Sequence, residues 1–180
     1  MIIKLADNAG FCFGVKKAVE KTEDALKNNS NVQIAGDLIH NKSVTGKLKS
    51  MGLKNYETIP SDATVIIRSH GESKNIKEKI IENNNTLIDC TCPVLLNIYK
   101  KIEEKDKSGY RLIIIGDKNH PEVIAMNGHI DGKAVILNTV EEAKKIRLDE
   151  KLYIISQTTN RSDHFYNLAN IIAENNHNTV

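Results

Sequence analysis

The chain has 180 residues, 40% hydrophobic and 27% charged, enough to bury one large core or two small ones. A net charge of +2, no Trp and only 4% aromatic residues argue against nucleic acid or a membrane surface as partner. No apolar run approaches the ~20 residues of a membrane span.

The N-terminus lacks a basic segment followed by a long apolar one, so no secretory leader is expected. Three cysteines, an odd number in no secreted disulfide pattern, fit a reducing cytoplasm and a metal or redox role.

In chain order, residues 1–6 read as strand, 15–28 as helix, 32–35 as strand and 42–51 as helix. Strand 64–68, helix 73–83, strand 87–89 and helix 93–107 follow. The second half gives strand 111–115, a short helix 121–126, strand 134–137, helix 140–146, strand 152–156 and helix 162–173. Strict alternation of this kind predicts parallel sheets with right-handed crossovers. The strand pattern restarts after the helix that follows Cys92. The expectation is therefore an α/β fold of two small parallel-sheet αβα units, residues 1–92 and 93–180.

The stretch Asp89-Cys90-Thr91-Cys92-Pro93 sits where a short apolar strand gives way to an amphipathic helix. Proline suits the first helical position, where its missing N–H leaves no bond unmade. Cys92 thus precedes a helix N-terminus, a setting that favours anionic sulfur as metal ligand or nucleophile. Cys12, in Gly10-Phe11-Cys12-Phe13-Gly14, lies between strand and helix in the same way. Two cysteines so placed can meet at one edge of a parallel sheet. Cys90 shares a face with Cys92 if the backbone is extended, and small core filler is its simpler role.

Apolar strands also end in polar turns that carry His40, His70 and His120. Ligands in open α/β sheets bind beyond the carboxyl ends of the strands, so histidines and helix N-termini gathered there suit an anion such as phosphate. Each histidine alone reads as a solvated turn residue; three at equivalent strand ends are harder to dismiss. Glu122 reads first as a favourable charge in a helix's first turn and second as a proton relay. Thr158 and Thr159 read most simply as a helix-capping pair. His129, His164 and His177 show no such placement.

Taken together, Gly10-Phe11-Cys12-Phe13-Gly14-Val15, Ile39-His40-Asn41, Ser69-His70-Gly71, Asp89-Cys90-Thr91-Cys92-Pro93, His120-Pro121-Glu122-Val123 and Gln157-Thr158-Thr159 resemble, in order and spacing, the motifs of the 4-hydroxy-3-methylbut-2-enyl diphosphate reductase family, LytB/IspH. The resemblance covers essentially the whole chain.

It implies reduction of a small-molecule allylic diphosphate, (E)-4-hydroxy-3-methylbut-2-enyl diphosphate, to isopentenyl and dimethylallyl diphosphates in the methylerythritol phosphate pathway. It implies a 4Fe–4S cluster held by three cysteines, of which Cys12 and Cys92 match two. It implies His40, His70 and His120 around the diphosphate, Glu122 as proton donor, Thr158 as its hydroxyl partner, and ferredoxin or flavodoxin as electron donor. The family has three α/β units. The chain is therefore expected to be its N-terminal two-thirds, lacking the third unit and third cysteine ligand and inactive alone. The alternative is a non-catalytic metal- or diphosphate-binding module of the same origin, in which Cys12, Cys90, Cys92 and a histidine would bind zinc.

Overall fold

Small residues spaced along one helical face set the first packing contact. In the computed structural model, which describes Lys4 and residues 10–176, helix α1 (Phe13–Asn28) buries Gly14, Ala18, Thr22 and Ala25. Side chains this short let a helix axis approach a sheet closely. The strand expected over residues 1–6 lies, apart from Lys4, outside the described residues.

After α1 come β1 (Val32–Ile34), α2 (Lys42–Ser50), β2 (Lys54–Asn55), β3 (Thr64–Ile67), α3 (Lys74–Glu82) and β4 (Thr86–Asp89). The strands form one parallel sheet in the order β2-β1-β3-β4. Every residue of β3 is buried, because a parallel strand with neighbours on both sides is covered on both faces. Its Ile66 joins Ile34, Leu38, Leu48, Ala18 and Cys90 in one apolar cluster. The two-residue β2 has no counterpart in the sequence reading, since both its residues are exposed and polar.

The second half supplies α4 (Pro93–Lys107), β5 (Tyr110–Ile115), α5 (Pro121–Gly128), β6 (Val135–Leu137), α6 (Val140–Ala143), β7 (Lys151–Ser156) and α7 (Ser162–Asn175). Its sheet is also parallel, with β5 between β6 and β7. Ile113 and Ile115 pack with Leu152, Leu168 and Ile172. Helix α6 stops earlier than expected, and the Arg147 guanidinium donates to the carbonyls of Lys144 and Ile146, satisfying groups a longer helix would have used.

The α/β architecture with parallel sheets agrees with the sequence reading. The described residues group into two units: those up to Ser69 with Lys79–Val94, and His70–Glu78 with those from Leu95 on. The sequence divides the chain once, after residue 92, whereas these units divide it after Ser69, Glu78 and Val94. Nothing in the sequence marks the excursion of His70–Glu78, because the helical pattern of α3 runs straight through its end. Among the described residues no helix is long and apolar enough to cross a membrane.

Candidate functional site

In the first unit, Cys12 is the residue before α1 and its carbonyl accepts the first helical bond, from Lys16 N–H at 3.0 Å. Its side chain is exposed. Cys92 is fixed through its backbone, donating its N–H to Ser69 O at 2.9 Å, and Cys90 N–H donates to Ile67 O at 3.1 Å. These bonds carry the β3–β4 ladder past the last assigned strand residue. Asp89 Oδ1 accepts from the Thr91 N–H at 2.9 Å and from the Thr91 hydroxyl, bending the chain toward Cys92.

A Cβ on Gly14 would stand 2.7 Å from Cys92 Sγ. The sulfur of Cys92 therefore lies on the first turn of α1, beside the residue two positions after Cys12. The absence of a side chain at Gly14 is what lets it lie there. Cys12 opens the same helix with an exposed side chain, and thiols are donors of the kind suited to iron and sulfide. Among the described residues no three His, Cys, Asp or Glu side chains are grouped to hold a metal, so the thiol pair fits as part of a ligand set and not as all of one.

Cys90 stands apart. It is 4% exposed, within the apolar cluster, with its Sγ 3.9 Å from Thr22 Oγ1. Burial pushes its thiol above the usual value, against smaller opposing effects of the Thr22 hydrogen bond and Lys21. A thiol kept protonated is a poor ligand, and Cys90 is core filler. The zinc set of Cys12, Cys90, Cys92 and a histidine is not formed among the described residues. His40, exposed, precedes Asn41, whose side chain caps α2 by accepting from Ser43 and Val44 N–H, both at 3.1 Å.

In the second unit, His120 is the N-cap of α5, and its Nδ1 accepts from Glu122 N–H at 3.2 Å. That bond fixes the tautomer and leaves Nε2 as the donor nitrogen of a neutral ring. The His70 ring meets the His120 ring edge-on, with centroids 5.8 Å apart. Glu122 is 2% exposed. Thr158 holds both of its oxygens: the Thr158 N–H donates to Oε1 at 2.6 Å and the hydroxyl to Oε2 at 2.7 Å.

The turns that carry these groups are braced by Gln157, which accepts from Asp117 N–H at 3.1 Å and donates to Thr159 Oγ1 at 2.7 Å. A Cβ on Gly116 would fall 2.9 Å from both Gln157 Cβ and Val123 Cγ2. Glycine there allows the ends of β5, α5 and β7 to converge.

The structure thus groups the predicted residues into two sets. Cys92 lies against the helix that Cys12 opens, and His70, His120, Glu122 and Thr158 lie along one unit. One expectation is corrected: neither Thr158 nor Thr159 caps α7, whose N-cap is Arg161 with no side-chain cap. Thr158 spends its hydroxyl on Glu122 instead. Nothing in the sequence marks Tyr99, Glu103 and His129 as neighbours of the His70 turn. Gln157 belongs to the Gln157-Thr158-Thr159 motif, but nothing in the motif marks it as a brace.

Residues 3–180 match the family model described as LytB protein. The chain is 37% identical over 180 residues to a 4-hydroxy-3-methylbut-2-enyl diphosphate reductase of Clostridioides difficile, covering 97% of this chain and 64% of that one. It is 38% identical over 179 residues to the reductase of the same name from Caldanaerobacter subterraneus subsp. tengcongensis, covering 96% and 62%. Two solved structures share its fold. That of the E-1-hydroxy-2-methyl-but-2-enyl-4-diphosphate reductase from Plasmodium falciparum aligns with a TM-score of 0.87 at 28% identity, over 97% of this chain and 57% of that one. The other, of (E)-4-hydroxy-3-methyl-but-2-enyl diphosphate reductase, described as the terminal enzyme of the non-mevalonate pathway, aligns at 0.83 and 33% identity, over 98% and 65%. The chain spans less than two thirds of the length of these relatives. With matching motifs, matching topology and a family model that covers it almost end to end, the chain belongs to the LytB family.

Proposed function

We propose that the chain carries part of the machinery of a 4-hydroxy-3-methylbut-2-enyl diphosphate reductase. The observation that supports this most is the buried Glu122 carboxyl held at both oxygens by Thr158, within the unit that also pairs His70 with His120. The reaction replaces an allylic hydroxyl by hydrogen. Two electrons and two protons enter, and the C–O bond breaks to release water. One of those protons must reach the departing oxygen.

As proton donor, Glu122 would pass the proton to the Thr158 hydroxyl, which in turn donates to the substrate oxygen, the reverse of the direction in which that hydroxyl now donates to Oε2. In the second unit, the Nε2–H of His120 and the ring of His70 offer donors to diphosphate oxygens; in the first, His40 has that role only by the family resemblance. Cys12 and Cys92 would hold a 4Fe–4S cluster together with a ligand from outside the described residues. Such a cluster, when bound, supplies Lewis acidity and relays the electrons. Those electrons would come from a reduced ferredoxin or flavodoxin in the cytoplasm.

Anaerobic reconstitution of the polypeptide as encoded, followed by assay with (E)-4-hydroxy-3-methylbut-2-enyl diphosphate, tests the proposal. Turnover that Glu122→Gln abolishes supports it, and full turnover by that variant overturns it. For the 180-residue chain by itself a second reading, a non-catalytic diphosphate-binding module, is favoured by one observation: no third ligand joins the thiol pair among the described residues. Pyrophosphate binding without iron retention would favour that second reading.

A further inference from the structure

Behind the His70 turn, inside the second unit, lies a chain of contacts that the proposed reaction does not use. Lys74 Nζ stands 3.0 Å from Glu103 Oε2, and His129 Nδ1 stands 2.7 Å from Glu103 Oε1. The His129 side chain is 8% exposed. Its ring stacks on that of Tyr99, with centroids 4.2 Å apart and planes 21° from parallel. Tyr99 is 2% exposed, and its hydroxyl donates to the backbone carbonyl of His70.

Two further features hold the same turn. Gly71, at φ +82°, turns the chain directly after His70 in a conformation that L side chains rarely adopt. A Cβ on Gly128, next to His129, would fall 2.4 Å from Ser73 Cβ, so the end of α5 is seated on the turn. Each partner in the chain constrains the next. Glu103 orients the imidazole, the imidazole face fixes the phenol ring, and the phenol hydroxyl fixes the carbonyl of His70.

We infer that Tyr99, backed by His129 and Glu103, is a positioning residue that sets where the His70 imidazole stands and so tunes affinity for the diphosphate. This rests on the reading of His70 as a diphosphate contact. An aromatic hydroxyl suits the task because it reaches the main chain from a rigid ring, with little side-chain freedom to lose.

The test uses the 180-residue chain and inorganic pyrophosphate, with dissociation constants from calorimetry for wild type, Tyr99→Phe, His70→Ala and the double variant. Tyr99→Phe removes one hydrogen bond and keeps the ring, and it should weaken binding roughly five- to ten-fold. In the His70→Ala background the same change should alter affinity less than about two-fold, the mark of one residue acting through another. Glu103→Gln, which leaves Tyr99 intact, should weaken binding in the same direction and lose its effect in the same background. Equal weakening by Tyr99→Phe in both backgrounds, or none in either, overturns the inference alone. Absence of pyrophosphate binding, or binding that His70→Ala leaves unchanged, overturns the reading of His70 and the inference with it.

Discussion

Thr158 grips Glu122 at both carboxylate oxygens, one through its amide and one through its hydroxyl. The two residues are 36 positions apart and come from the start of α5 and the turn after β7. A buried carboxyl chelated in this way has one orientation. That suits a group that must present a proton at a fixed point more than one that merely decorates a helix terminus.

If Glu122 supplies the proton, Glu122→Gln should lower turnover by roughly 10²–10⁴, the usual contribution of a positioned general acid. Thr158→Ser, which keeps amide and hydroxyl, should retain most activity. Thr158→Val should lose much of it. Steady-state rates of the anaerobically reconstituted polypeptide measure all three.

Gly14 should resist substitution. An alanine Cβ would stand 2.7 Å from Cys92 Sγ, and overpacking of this kind costs about 1–3 kcal/mol. Chemical denaturation of Gly14→Ala should show that loss. Combining it with Cys92→Ala should recover most of it, since the obstructing sulfur is then gone. A loss of equal size in both backgrounds would place the strain elsewhere.

Thiol chemistry should separate the cysteines. Exposed Cys12 should react first with a disulfide reagent and half-buried Cys92 next, whereas Cys90 should wait for unfolding. Burial raises the Cys90 thiol above its ordinary value of 9.0. Its contribution to stability is therefore whole below that value and is lost as pH rises through the raised one. Cys90→Ala should flatten this alkaline decline in denaturation midpoints.

Glu103 carries the opposite sign. Burial pushes its carboxyl up, but hydrogen bonds from His129 and Lys74 outweigh burial and hold it below the usual 4.5. The stability it contributes is present above that ordinary value and is lost as pH falls through the depressed one. Urea midpoints measured on acidification should fall less steeply in Glu103→Gln than in wild type.

The parts legible in the sequence were those written in local periodicity. The apolar runs of β3 and β5 with their following helices announce parallel strands, and Pro93 and Pro121 mark two helix starts. Cys12, Cys92 and His120 stand out because chemistry-bearing types recur at strand ends, whereas Glu122 reads by spacing as a helix-terminus charge and takes a proton-donor role only from the family resemblance. What escaped depends on contacts between distant residues. Thr158 looks like a cap until Glu122 is seen to occupy its hydroxyl. Tyr99 looks like an ordinary helix residue, and His129 like a residue just past a helix end, until their rings are stacked. The two polar residues of β2 have no hydrophobic pattern to betray them. The placement of His70–Glu78 with the second unit is equally silent, because a helix can cross between packing partners without any change in its own repeat.

Residue 92 is anchored by its amide on Ser69, not by its sulfur. The thiol can accordingly be swapped for a hydroxyl or a methyl while the frame around it stands. If Cys92 is the cluster ligand proposed above, a variant without its thiol should keep its fold. On that proposal, loss of metal and loss of structure, so often confounded in proteins that fold around their inorganic centres, could be told apart.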